Sequence, residues 1–125
     1  MSYYTNIEIR FDDEQPDFEA VLHRARLYLE ARPDNYPDVG FVLAQLRTVL
    51  EEEKGDIKGF WVDDVEGLMK HVSADFPGVV FYVRGVGEEY FDIWLRLFKD
   101  GKVAFQTGPF EDELDSALRR LRRGS

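Results

Sequence analysis

Residues 61–103 constrain the fold more than any other part of the chain, because the hydrophobic period changes within them. Up to Phe76 the apolar residues recur every three to four positions, which is typical of an amphipathic helix. Pro77 and Gly78 then interrupt the pattern. From Val79 onward apolar and polar residues alternate, which is typical of half-buried strands. The segment therefore predicts a helix followed by antiparallel strands.

The same two hydrophobic periods predict the secondary structure of the rest of the chain. The predicted elements are a strand over 4–11, helices over 17–32 and 37–53, a helix that begins at Asp63, strands over 79–84, 90–98 and 102–106, and a helix over Glu111–Arg123. This β-α-α-α-β-β-β-α order predicts an α+β fold, a two-layer sandwich in which helices pack on one face of an antiparallel sheet of about four strands. A chain of 125 residues fits one domain, residues 1–125.

The third helix carries a predicted N-terminal cap. Asp63 has the side chain of a good cap, and Glu66 follows three residues later, as in a capping box. At the other end of the domain, Lys99-Asp100-Gly101-Lys102 predicts a tight hairpin turn between two strands.

Composition excludes several kinds of function. The chain has no cysteine, which rules out disulfides and thiolate chemistry. Its formal net charge is −9, although four arginines lie near its C-terminus, so we expect no binding to nucleic acid or to anionic membranes. No apolar run approaches the roughly 20 residues of a membrane span, and no secretion signal is recognisable at the start. We expect a protein of the host-cell cytoplasm.

Motifs for catalysis and metal binding are weak. Gly85-Val86-Gly87-Glu88-Glu89 lacks the lysine and the following helix of a phosphate-binding loop, and we interpret it as a hairpin connection. The two acidic clusters, Asp63/Asp64/Glu66 and Glu88/Glu89/Asp92, have oxygen ligands for Mg²⁺ or Ca²⁺, but helix capping and turn formation explain them more simply. Neither His23 nor His71 has a motif partner. We expect no metal, no cofactor and no enzymatic activity, with a small enzyme as the least favoured alternative.

The strand pattern predicts one unusual surface. If the aliphatic residues of each strand face the helices, the opposite face of the sheet combines aromatic rings with arginines, which are the residue types enriched at binding hot spots. The predicted partner-binding residues on this open face are Tyr82, Arg84, Trp94, Arg96 and Phe98. Trp94 is predicted to anchor the contact. If Trp94 belongs to the core instead, the acidic surface around Glu88 and Glu89 is the alternative binding surface.

Residues 61–102, together with a short N-terminal motif, resemble a group of small uncharacterised proteins of phages, prophages and actinobacteria. The matching positions are Tyr3, Tyr4 and Thr5; Trp61, Asp63, Met69 and Lys70; Ser73, Phe76, Pro77, Val79 and Phe81; Gly85, Gly87, Glu88, Glu89, Asp92, Ile93 and Trp94; and Phe98, Gly101 and Lys102. The resemblance implies an accessory protein of a mobile element, with no particular biochemical activity.

Two functional hypotheses follow from the acidity, the open face and this resemblance. The first is a non-enzymatic phage-type accessory protein that binds and modulates a host protein, through the open sheet face or the acidic surface. The second is an immunity or antitoxin protein that neutralises a basic toxin. Both require a protein partner. A toxin gene beside this one would favour the second hypothesis, and virion genes would favour the first.

Overall fold

The computed structural model describes residues 3–124, and these form a five-stranded antiparallel sheet and four helices. In chain order the elements are β1 (Tyr4–Arg10), α1 (Phe18–Glu30), α2 (Val39–Glu52), β2 (Lys54–Lys58), α3 (Val62–Ser73), β3 (Phe81–Val86), β4 (Ile93–Lys99), β5 (Lys102–Thr107) and α4 (Glu111–Arg123). The strands lie in the order β2-β1-β3-β4-β5. The predicted α+β class is confirmed.

The fifth strand, β2, was not predicted. It pairs antiparallel with β1, with Ile57 opposite Thr5 and Gly55 opposite Ile7. Ile57 is its one buried residue, so a five-residue strand of mostly polar composition gives almost no periodic signal. The sheet therefore has five strands, and β2 follows α2 after a single residue, Glu53, in the left-handed conformation at φ 70°.

A single hydrophobic cluster fills the space between the sheet and helices α1, α2 and α3. Ile7 and Ile9 of β1 and Phe81 and Val83 of β3 point into it, as their alternation predicts. The helices contribute the apolar stripes that their 3.6-residue period predicts: Val21, Leu22, Ala25 and Leu29; Val42, Leu43, Leu46, Val49 and Leu50; Val65, Leu68, Met69 and Val72. No residue of α4 is buried, so the described chain contains a fourth helix outside this core.

The N-cap of α3 lies two residues before the predicted one, and this changes the capping group. Trp61 occupies the N-cap position, and the Asp64 carboxylate accepts the Trp61 backbone N–H at 2.9 Å. The same carboxylate accepts the Tyr36 hydroxyl at 2.7 Å. Asp63 as the cap is therefore wrong. Glu66 is not part of the cap either, because it pairs with Arg96.

The hairpin between β4 and β5 is the tight turn that the sequence predicts. Lys99 pairs with Lys102, and the two central residues, Asp100 and Gly101, have φ values of 51° and 80°. Positive φ at both positions matches the right-handed twist of the two strands. One irregularity follows in the hairpin, because Leu97 pairs with Phe105 whereas Phe98 pairs with Val103. The extra residue, Ala104, is a β-bulge that sends Phe105 to the open face.

No helix among residues 3–124 is long and apolar enough to cross a membrane.

Candidate functional site

The five predicted partner-binding residues lie on two different faces of the sheet. Tyr82 and Arg84 of β3 are on the open face, as predicted: the Tyr82 hydroxyl donates to the Asp12 carboxylate, and Arg84 lies 3.7 Å from the Glu8 carboxylate. Trp94 and Phe98 are at most 1% exposed and belong to the core. The placement of Trp94, Arg96 and Phe98 on the open face is therefore wrong, and Trp94 cannot anchor a partner there.

The error has a physical cause in β4. Both faces of this strand carry apolar side chains, so hydrophobicity alone does not decide which face is buried. The decisive contact lies on β3, where Gly85 is directly opposite Trp94. A Cβ atom at Gly85 would overlap the indole ring, so the glycine provides the space in which Trp94 is buried. The aliphatic residues Ile93, Leu95 and Leu97 consequently face outward.

Arg96 is a buried cation with a structural role. Its Nε lies 2.6 Å from the Glu66 carboxylate of α3. Its two terminal nitrogens donate to the backbone carbonyls of Leu95, Thr107 and Gly108 at 2.9–3.0 Å. Most of the guanidinium donors are thus satisfied inside the protein, which is what allows a charge to be buried. The residue joins α3, β4 and the end of β5, and it is not available to a partner.

A different group of residues meets at the end of the sheet where β3 leads into β4. Here the Tyr3 ring stacks on the Trp61 ring, with centroids 3.8 Å apart and an angle of 12° between the planes. The Tyr3 hydroxyl donates to the buried carboxylate of Asp92. The Glu88 carboxylate accepts the Tyr4 backbone N–H at 3.1 Å. The N-terminal strand, the first residue before α3 and the β3–β4 loop are therefore held together by side chains.

The β3–β4 loop is shaped around the Tyr3 hydroxyl. Gly87 donates its N–H to the Asp92 carbonyl at 2.7 Å, and Asp92 donates to the Glu89 carbonyl at 3.0 Å, which closes a compact turn. A Cβ at Gly87 would overlap both the Tyr3 hydroxyl and the Asp92 carboxylate, so this glycine is required for space. Burial, followed by the hydrogen bond to Asp92, raises the pKa of Tyr3 to about 12. The hydroxyl stays protonated and can donate at any physiological pH.

A groove of about 470 Å³ lies beside this cluster, and we call it the acidic groove. Its lining residues come from the start of α3, the β3–β4 loop and the start of α4: Trp61, Val62, Glu89, Phe91, Asp92, Pro109 and Glu111. The Phe110 N–H donates to the Phe91 carbonyl at 3.0 Å, which fixes the α4 side of the groove against the loop. The groove therefore combines an apolar floor with three carboxylates.

The exposed groups of the acidic groove include an aromatic ring and two carboxylates. Trp61 is 48% exposed although one face of its ring is covered by Tyr3. Within residues 3–124, neither Glu89 nor Glu111 forms an ion pair, whereas Asp92 is occupied by Tyr3. Tyr90, next to Glu89, is 88% exposed. An indole face and carboxylates are the groups that bind organic cations in proteins.

Sequence reasoning identified this region in part. Glu88 and Glu89 define the alternative acidic surface, and Trp61, Gly87 and Asp92 belong to the motif that carries the resemblance. Tyr3 lies in that motif as well. Phe91, Pro109 and Glu111 were missed as binding residues, because nothing in the sequence shows that the start of α4 returns to the β3–β4 loop. The available signal was the motif itself, since its residues are far apart in sequence and meet in this part of the structure.

The other predicted functional groups lie elsewhere. Among the described residues, no cluster of His, Asp and Glu side chains has the geometry of a metal site. His23 lines a separate groove between α1 and α2, and His71 lies 5.4 Å from the Tyr28 ring. Burial lowers the pKa of His71, so its imidazole is neutral at pH 7. Neither histidine reaches the acidic groove.

No protein-family model matches this sequence, and the comparisons with curated proteins and with solved structures found no significant match. The resemblance to phage-type accessory proteins therefore stays a prediction, and the chemistry of the groove has to be interpreted from its own residues.

Proposed function

We propose that this protein is a non-enzymatic accessory protein that binds and modulates a host protein in the cytoplasm, and that the acidic groove is its docking surface. The observation that carries this proposal is the combination, in one groove, of a half-exposed indole ring with two carboxylates that form no ion pair within residues 3–124. The partner it fits presents an arginine or lysine side chain on a basic segment.

The geometry supports a cationic side chain as the anchor. An arginine can lie over the free part of the Trp61 ring while its N–H groups reach Glu89 or Glu111, which combines a cation–π contact with charge-assisted hydrogen bonds. The Trp61 ring is already fixed by the Tyr3 ring stacked on it. A fixed aromatic side chain loses little conformational entropy when a partner binds, so more of the contact energy appears as affinity.

The charge of the whole chain acts in the same direction. The net charge of −9 attracts a basic surface over a distance of about 10 Å and raises the association rate. Binding of this kind is expected to weaken as the salt concentration rises.

The immunity or antitoxin function is a second candidate, and the same groove favours it. A nuclease toxin has a basic active-site cleft, since it must bind phosphate groups. An inhibitor with exposed carboxylates and an aromatic anchor can occupy such a cleft. The two candidates differ in the identity of the partner and not in the surface used.

The test is capture of a partner from host-cell lysate by immobilised protein, followed by titration with the purified partner. The groove variant is Glu89→Gln/Glu111→Gln, which removes two negative charges. The matched control is Asp34→Asn/Glu52→Gln, which removes two exposed negative charges elsewhere. We expect a partner that binds the wild type and the control with similar affinity and binds the groove variant at least about tenfold more weakly. Equal binding to all three proteins would contradict the proposal.

Trp61 provides a direct optical signal for the same experiment. The chain has two tryptophans, and Trp94 is 1% exposed, so only Trp61 can contact a partner. A change in the emission of the wild type that is absent from Trp61→Phe would locate the contact in the groove. A partner that leaves Trp61 emission unchanged binds elsewhere, and the proposed docking surface would then be wrong.

A further inference from the structure

α4 has an apolar stripe that the rest of the described chain covers only in part. Leu114, Ala117, Leu118 and Leu121 recur at helical spacing, yet no residue of α4 is buried. Leu118 is 38% exposed and Leu121 is 71% exposed. Apolar side chains aligned along one side of an exposed helix are a common sign of an interaction surface. The stripe also starts near Phe110, which is itself exposed.

The charges of α4 are divided between its two halves. The first half, 111–117, contains Glu111, Asp112, Glu113 and Asp115 and no basic residue. The second half, 118–124, contains Arg119, Arg120, Arg122 and Arg123 and no acidic residue. The division suits the helix dipole. It also makes the helix complementary to a copy of itself that runs in the opposite direction.

The direction of pairing follows from this order. In an antiparallel pair centred between Ala117 and Leu118, the acidic half of each helix faces the basic half of the other, and Leu114 faces Leu121. In a parallel pair, like charges would face each other. Successive residues turn by about 100° around the helix, so Glu113 and Arg120 lie on the same flank of the stripe. Glu113 of each copy then meets Arg120 of the other, and this contact occurs twice.

We propose that α4 joins two copies of this chain in an antiparallel helix pair. The occupant of the apolar stripe is a second copy of this chain. A helix that pairs with α4 must have an apolar stripe between an acidic half and a basic half, and α4 itself has this order. A two-fold symmetric contact of this kind is the commonest way in which soluble chains associate. The proposal does not depend on the function of the acidic groove.

The size of the contact sets the affinity to expect. A helix of 13 residues is about 20 Å long. Two such helices bury less area than a standard stable interface, so the dimer should be weak. Sedimentation equilibrium of the full chain should therefore cover concentrations from about 10 μM to 1 mM, and we expect the mean mass to rise toward twice the monomer value within this range. A monomer at every concentration would overturn the proposal.

Leu118→Asp tests whether the apolar stripe is the contact. Because Leu118 is not part of the core, the variant should keep the wild-type circular dichroism and melting temperature. Its dissociation constant should rise at least about tenfold, since a charge would be buried in the middle of the pair. A dimer that is as stable in Leu118→Asp as in the wild type uses another surface, and the proposal is then wrong.

A charge exchange tests the antiparallel direction. Glu113→Lys and Arg120→Glu should each weaken self-association, because each variant creates two repulsive contacts across the pair. An equal mixture of the two variants should form a heterodimer about as strong as the wild-type dimer, since every contact becomes attractive again. The matched control is Asp112→Lys with Arg119→Glu, which makes the same charge changes on the side of α4 opposite to the stripe. A mixture that does not recover, or control variants that weaken the dimer equally, would overturn this arrangement.

Discussion

At the scale of single residues, the carboxylates of α3 have distinct roles although they are close in sequence. Asp64 closes the start of the helix by accepting the Trp61 N–H and also accepts the Tyr36 hydroxyl, and Glu66 neutralises the buried Arg96. Asp63 is exposed and makes neither contact. Composition alone cannot separate these roles, because all three positions suit the first turn of a helix.

Asp64→Ala is expected to lower the free energy of unfolding by about 1–2 kcal/mol, through loss of the cap and of an acceptor for the Tyr36 hydroxyl. The matched control, Asp63→Ala, should change it by less than about 0.5 kcal/mol, as is usual for an exposed position. Urea unfolding of the three proteins measures both values. A larger effect at Asp63 than at Asp64 would mean that Asp63 is the cap and that the helix begins two residues later.

The Tyr3 hydroxyl is expected to titrate later than an ordinary tyrosine. Its pKa is raised from 10.0 to about 12 by burial and by the hydrogen bond to Asp92. Because folding raises this pKa, the stabilisation is fully present below pH 10 and is lost as the pH rises toward 12. The difference between the ultraviolet titrations of wild type and Tyr3→Phe should show a step centred near pH 12.

Tyr90→Phe serves as a comparison for that titration, because it removes one ionisable phenol from an exposed position. A Tyr3 step centred near pH 10 would show that the hydroxyl is not held by Asp92.

At the scale of elements, the face that β4 presents to the core depends on a contact with its neighbour. Gly85→Ala is expected to destabilise the protein by more than about 2 kcal/mol, because the new methyl group would overlap the Trp94 ring and a well-packed core cannot move aside. Thermal or urea unfolding measures the change. If Gly85→Ala has no effect, the indole is not packed against β3 as the structure has it.

Gly40→Ala in α2 is the matched control for this substitution. A methyl group at Gly40 would meet only the Asp38 carboxylate, at 3.9 Å, and the position is helical. Alanine in a helix is better than glycine by roughly 0.5–1 kcal/mol, so this variant should be as stable as the wild type or more stable.

The same elements show how far sequence could predict this structure. The positions of all four helices and of four strands could be predicted from the hydrophobic period and the turn residues. Apolar stripes in helices and alternation in strands both reflect which side chains are buried. The face of β4 could not be predicted, since Ile93, Leu95 and Leu97 look more apolar than Trp94, Arg96 and Phe98 until Glu66 and Gly85 are known to lie opposite. Strict alternation from Val103 would place Phe105 on the core face, but the bulge at Ala104 shifts the alternation by one residue.

The acidic groove was predictable only as a region of charge. Glu88 and Glu89 could be identified from the sequence. The structure shows the groups that complete the groove beside them: Trp61 from another element, and Glu111 from the start of α4. These contacts join residues that are more than 20 positions apart. They depend on tertiary packing, which no local pattern reports.

At the scale of the whole molecule, the excess of negative charge should exclude nucleic acid. The chain has 25 acidic residues against 16 lysines and arginines, so the four arginines of α4 are surrounded by a repulsive field. We expect no binding to duplex DNA at about 0.15 M salt in a gel-shift experiment. Binding that disappears in Arg119→Glu/Arg123→Glu would contradict this prediction and would make the basic half of α4 a nucleic-acid contact.

The bulge in β5 also affects the tendency of the protein to aggregate at high concentration. β5 is the outermost strand on its side of the sheet, and the free N–H and C=O groups of such a strand can template fibre growth. Here the extra residue Ala104 breaks their regular spacing, and Lys102 places a charge at one end. An incoming strand would find few consecutive groups to pair with. The bulge that turns Phe105 to the open face thus also helps to keep concentrated protein from forming cross-β aggregates.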